Sequence, residues 1–173
     1  VPELTQRKTY FYHLIGNTLH ASLDSGYDVP FGGAQVSWLD KISYSYSGYA
    51  KFAHQHVPIY PACEDEDDMP AKESEIAAQV WTPVFENHNF QAVFENHVHL
   101  MKKTYPLRKG VPQPDGVIYF GDGNWGVLPH GCSAQQVPGK QNLFEKIGDE
   151  THVWIMNVTK TEWEYYPIGL DGN

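Results

Sequence analysis

Phe90-Gln-Ala-Val-Phe-Glu-Asn-His-Val-His-Leu-Met-Lys-Lys-Thr-Tyr-Pro106 decides how this chain is read. Its first five residues are an apolar run of strand length. Two histidines one residue apart, His97 and His99, follow where a chain leaving a strand enters a loop. Imidazole is the commonest metal ligand, and two rings on one strand-end loop can face one site. A second stretch repeats the arrangement. In it the short run Tyr49 to Ala53 precedes His54-Gln-His56-Val-Pro-Ile-Tyr-Pro61. A lone surface His-x-His pair is also compatible with a solvated loop, so the surrounding residues carry the argument.

Those residues form a resemblance. Ala53-His-Gln-His-Val-Pro-Ile-Tyr-Pro61 resembles the histidine-bearing strand end of calcineurin-like metallophosphoesterases, in particular the purple acid phosphatase branch. Phe94 to Pro106 is similar to that family's Gly-His-x-His segment and its basic-Thr-x-Pro continuation, with Asn96 where many members have Gly. Tyr10 to Gly26 resembles the paired strands before the active-site helix, and Gly32-Gly-Ala-Gln-Val-Ser-Trp-Leu39 the start of that helix. Gly116-Val-Ile-Tyr-Phe-Gly-Asp-Gly123 is similar to the strand after the last ligand loop. The matches run in family order from about residue 9 to 126.

The resemblance covers only one half of the family's catalytic domain. The other half supplies Asp-x-His, Gly-Asp-x-x-Asp or Tyr, and Gly-Asn-His. No aspartate here begins Asp-x-His, and Gly16-Asn17 is followed by Thr18. His20 is therefore read as a strand residue and not a catalytic one. The resemblance implies that His56 and His97 bind one ion and His99 the other. Residues two apart on a strand face the same side, so His54 is expected on the same wall, as a catalytic residue or as packing or a supporting hydrogen bond. The resemblance also implies two divalent or trivalent ions (Zn, Fe, Mn or Mg/Ca) and a phosphoester substrate. Two-metal hydrolysis places its ions roughly 3.5–4 Å apart, which requires a bridging anionic oxygen. Three neutral imidazoles can hold one zinc-like ion with an open position but bring no bridge. A companion chain or an upstream segment is expected to supply the Asp, Asn and His ligands. Val1 is not a natural start, so maturation, proteolysis or an artificial boundary is implied.

Composition bounds the rest. A chain of 173 residues with 41% hydrophobic and 19% charged residues suits one soluble domain. The 14% aromatic share suits a β-rich core. The net charge of −9 excludes a general nucleic-acid footprint, which needs clustered Lys and Arg. No apolar stretch approaches the roughly 20 residues that span a bilayer. Cys63 and Cys132 allow one disulfide, which would need an oxidising compartment. Asn157-Val-Thr159 is an N-glycosylation sequon. Both lean toward secretion or a cell surface.

The expected organisation alternates strands and helices. Strands fall at Thr9–Ile15, Thr18–Leu23, Tyr49–Ala53, Phe90–Phe94 and Val117–Phe120. One helix carries Val36, Leu39 and Ile42; a second runs from Glu73 to Trp81 and stops before Pro83. Glu64 to Asp68 reads as a charged loop, Asp122 to Gly126 as a turn, and Lys102-Lys103 as an exposed basic pair, or as phosphate contacts where they face inward. A long loop with Pro129, Gly131, Pro138 and Gly139 is expected at the site mouth. Val153–Val158 and Glu162–Tyr166 read as a closing hairpin. The fold class is α/β, a layered α/β/β/α sandwich of metallophosphoesterase type, with residues 1–173 supplying its C-terminal half. Two functions follow: the histidine-bearing portion of a metal-dependent phosphoric-ester hydrolase, or a non-catalytic module of a larger assembly.

Overall fold

The computed structural model describes residues 8–62, 71–127, 141–159 and 162–169. Among the described residues the two larger of three hydrophobic clusters lie on opposite faces of a central sheet and organise it. In chain order the elements are β1 (Phe11–Ile15), β2 (Thr18–Ser22), α1 (Ala34–Ser45), β3 (Ala50–Gln55), α2 (Ala71–Asn87), β4 (Phe90–Glu95) and β5 (Met101–Thr104). There follow β6 (Leu107–Arg108), β7 (Val111–Pro112), β8 (Ile118–Asp122), β9 (Phe144–Gly148), β10 (His152–Val158) and β11 (Trp163–Gly169). Seven strands form one sheet in the order β1-β2-β3-β4-β8-β5-β9. Its centre, β2-β3-β4-β8, is parallel, and β1, β5 and β9 join antiparallel. Helical crossovers through α1 and α2 make the β2-β3 and β3-β4 parallel pairs possible. This is an α/β fold.

Side chains alternate across a strand, and here each set finds its own cover. Leu19 and Ala21 of β2, Ala53 of β3, Val93 of β4 and Tyr119 pack under Leu39, Ile42, Ala77, Trp81, Val84 and Phe85 of the helices. On the other face, Phe52, Ala92, Ile118 and Phe120 pack against Trp154, Met156, Val158, Trp163 and Tyr165 of the β10-β11 hairpin. The expected hairpin is therefore present, paired from His152↔Gly169 to Val158↔Trp163. The layers seen are helices, the seven-stranded sheet and a two-stranded ribbon.

Two expectations need correction. Helix α2 does not stop before Pro83 but runs through it to Asn87. An internal proline costs about 3 kcal/mol. Trp81, Val84 and Phe85 all enter the core, each worth about 1.5–3 kcal/mol, and Pro83 itself faces solvent. Lys102 and Lys103 are not an exposed pair: they lie in β5 with relative exposures of 3% and 7%. Each meets a carboxylate, Glu95 and Glu145 respectively, which is how a buried charge is tolerated. Cys63, Cys132, the acidic run 64–68 and the loop prolines 129 and 138 lie outside the described residues.

Candidate metal centre

Parallel pairing of β3 with β4 places Gln55 opposite Glu95, so the chain leaves both strands at the same end. His56 and His97 come directly after. The Asn96 amide N–H donates to the His56 carbonyl (3.0 Å), and Asn96 Nδ2 donates to the Gln55 carbonyl (2.9 Å). These bonds tie the two strand ends together. His56 Nε2 lies 3.0 Å from His97 Nδ1. The contact is a hydrogen bond between rings inclined at 79°, and its length is near the roughly 3.3 Å that separates two nitrogens bound to one tetrahedral ion at about 2.0–2.1 Å. His97 has φ 65, a left-handed conformation uncommon outside glycine. Such strain tends to cluster at functional sites. Tight i to i+2 turns, Val98 N–H to Asn96 O and Leu100 N–H to Val98 O, compact the loop that carries His99.

Electrostatics agree with this placement. The His56 pKa is lowered by burial first and then by the charges of His97 and His99. That favours the neutral imidazole a metal requires. His99 is thus close enough to act on His56. Among the described residues no group of three or more His, Cys, Asp and Glu is arranged to hold a metal ion.

Beneath the histidines lies a framework that the sequence reading missed. Glu95, fully buried, accepts from the Ile59 amide (2.7 Å), Gln55 Nε2 (3.2 Å) and Lys102 Nζ. Lys102 Nζ also donates to the Tyr60 carbonyl at 2.6 Å. One carboxylate and one ammonium therefore fasten the loop after His56 to the strand before His97. Ser25 Oγ accepts from the His56 and Val57 amides (3.0 and 3.1 Å). Gly123 passes so close under the histidine loop that a Cβ there would sit 2.4 Å from the Val98 carbonyl oxygen. The Gln35 side chain, 1% exposed, bonds both backbone groups of Asp24 and the Pro30 carbonyl, bracing the loop that carries Ser25. A glutamate after an apolar run and a serine in Asp24-Ser-Gly26 give no signal of these bonds without the fold.

His54 is in β3, and its Nε2 lies 3.1 Å from His20 Nδ1. Its ring stacks on Phe94 at 5.0 Å, which stacks on Phe120 at 5.4 Å. Burial, then the charge of His20, pushes the His54 pKa down to about 4. His20 has a lowered pKa too, from burial and then His13.

No protein-family model matches the chain, and no curated protein matches it. Its fold is similar to a number of solved structures, three of which follow. Purple acid phosphatase PPD1 from yellow lupin (Lupinus luteus) seeds has 14% identity and a TM-score of 0.80, covering 100% of this chain and 32% of that one. GAP50, the anchor in the inner membrane complex of Plasmodium, has 8% identity and a TM-score of 0.67, covering 95% and 50%. PhoD has 12% identity and a TM-score of 0.67, covering 95% and 39%. The chain spans at most half of these proteins, and at such identities the likeness is one of fold: phosphatase-like and α/β.

Proposed function

We propose that this chain is the histidine-bearing portion of a metal-dependent phosphoric-ester hydrolase. The observation that carries the reading is the 3.0 Å approach of His56 Nε2 to His97 Nδ1 across two adjacent strand ends. His56, His97 and His99 are assigned as ligands of one or both of two metal ions, with identity open among Zn, Fe, Mn, Mg and Ca. Bound there, the metal centre would supply an activated water and charge stabilisation for a phosphoryl oxygen. Glu95, Lys102, Ser25 and Asn96 hold the ligands in place. For His54 a supporting part in catalysis is proposed: neutral at neutral pH, it steadies the end of β3 through His20 and Phe94 rather than giving up a proton. The carboxylates come from a companion chain or upstream segment, whose sheet would complete the α/β/β/α sandwich. The exposed Asn157 of the sequon supports placement in a secreted or cell-surface protein. In the complete assembly His97→Ala is expected to abolish hydrolysis of a generic phosphomonoester, and undiminished activity would sink the assignment.

A second reading is favoured by one observation, the likeness to GAP50, an anchor protein. Here the fold serves as a non-catalytic binding module. The discriminating result is whether the purified assembly contains a companion bearing Asp-x-His and Gly-Asn-His segments.

A further inference from the structure

Among the described residues three lysines are buried: Lys51, Lys102 and Lys103, with exposures of 3%, 3% and 7%. Lys102 and Lys103 each meet a glutamate. Lys51 differs. Among the described residues its Nζ donates to the Ser47 and Tyr49 carbonyls, at 3.3 and 3.0 Å, and to no carboxylate. An ammonium has three donors, and Lys51 lines a cavity of about 260 Å³. We propose that this cavity binds a small organic monocarboxylate, with Lys51 as its counter-ion. The proposal does not depend on the reading of His56 and His97 as metal ligands.

Register puts this lysine inside. It is the second residue of β3, paired with Leu19 on one side and Phe90 on the other. It shares a face with Ala53, two residues on and fully buried. A core position thus holds an ammonium, which turns back to carbonyls that precede the strand. Those carbonyls are neutral. They occupy two N–H groups but leave the charge uncompensated, and a buried charge is costly unless paired. Burial accordingly lowers the Lys51 pKa, with no carboxylate opposing it.

Tyr49, Gln91 and Trp163 line the cavity beside Lys51, with His88 and Glu162. These residues gather at the starts of β3 and β4, and His56 follows the far end of β3. Six strand residues span roughly 17 Å, so the two places are separate. The walls are braced before any ligand arrives, which avoids an ordering cost. The Asn17 carbonyl accepts from the Ala50 amide at 3.1 Å, and its side chain donates to the Thr159 carbonyl at 3.4 Å. The Thr159 amide donates to the Glu162 carbonyl at 2.8 Å, and the Glu162 amide to Thr159 Oγ1 at 3.0 Å.

Size and charge set the ligand class. At about 30 Å³ per water-sized group, the space holds on the order of ten heavy atoms. One ammonium matches one negative charge. The Glu162 carboxylate on the same lining opposes a dianion such as phosphate. His88 Nε2 lies 2.7 Å from Asp40 Oδ1, so that carboxylate is engaged away from Lys51.

The test titrates the full chain, stripped of metal with a chelator, by calorimetry with benzoate, benzamide and inorganic phosphate. Benzoate and benzamide are alike in size and differ in charge. Benzoate is expected to bind about ten- to hundredfold more tightly than benzamide, the range of a hydrogen bond to a charged group. Lys51→Met should bring the ratio of the two constants near one while the thermal melt stays cooperative. Glu162→Gln, a change on the exposed turn, should tighten benzoate roughly twofold, and this reading decides the matter should Lys51→Met fail to fold. Absence of benzoate binding, a ratio near one in the parent chain, or a ratio that survives Lys51→Met overturns the proposal. So does phosphate binding tighter than benzoate, or benzoate binding that Glu162→Gln weakens or leaves unchanged.

Discussion

His56 and His97 are 41 residues apart in sequence, yet Nε2 of one and Nδ1 of the other stand 3.0 Å apart at neighbouring strand ends. The fold spends several buried groups on that approach. Asn96 bridges the strands, Ser25 holds the His56 backbone, and the Glu95–Lys102 pair fastens the loop that follows. Each of these supports can be tested apart from catalysis.

Removing one partner of the Glu95–Lys102 pair leaves a buried charge without compensation. Lys102→Met should destabilise the chain by about 3–5 kcal/mol. The double change Glu95→Leu with Lys102→Met should recover much of that loss. Urea denaturation of the two variants checks this; equal losses in both would show that the pair is not the source.

Ser25 Oγ is the acceptor for two amides at His56 and Val57. Ser25→Ala should lower Zn2+ affinity roughly tenfold, at the lower end of what outer-shell changes cost. Competition with a chromogenic chelator measures it. Unchanged affinity would mean that the His56 backbone is held without the serine.

Much of this organisation was legible in the sequence, and the failures have physical causes. Alternating or apolar runs gave β2, β3, β4 and β8, because each buries one or both faces. The β10-β11 hairpin was legible from its alternation. Strand β5 was hidden because Lys102 and Lys103 look solvent-facing until Glu95 and Glu145 are placed beside them. The extent of α2 was misjudged at Pro83, where core contacts of Trp81, Val84 and Phe85 outweigh the proline. The histidines could be named from spacing and resemblance, but their supports could not. Ser25, Gln35 and Glu95 act on residues 11 to 36 positions away, and single-sequence patterns do not reach that far.

Pro83 interrupts the backbone ladder of α2 while facing solvent. Pro83→Ala should stabilise the chain by about 2–3 kcal/mol, provided the helix relaxes to its ordinary path. A thermal melt reads the shift; a fall in midpoint would show that the proline fixes the packing of Val84 and Phe85.

The His54 pKa is lowered to about 4 by burial and by His20, from an ordinary 6.5. The unfolded chain therefore takes up that proton more readily. The stability is fully present above about pH 6.5 and is lost as pH falls through about 4, a change of about 3 kcal/mol from the shift. His20, lowered as well, adds in the same direction. Denaturation midpoints between pH 8 and 4 should fall on acidification. His54→Phe, which keeps the stack on Phe94, should flatten the slope; an unchanged slope would assign it to other groups.

The most direct test of the central claim is calorimetric titration of Zn2+ into the full chain and into its His56→Ala and His97→Ala variants. The account predicts saturable binding by the parent chain. It also predicts that each variant loses more than the roughly 10–100-fold that an outer-shell change costs. Zinc binding that is absent from the parent chain, or indifferent to both substitutions, would contradict it.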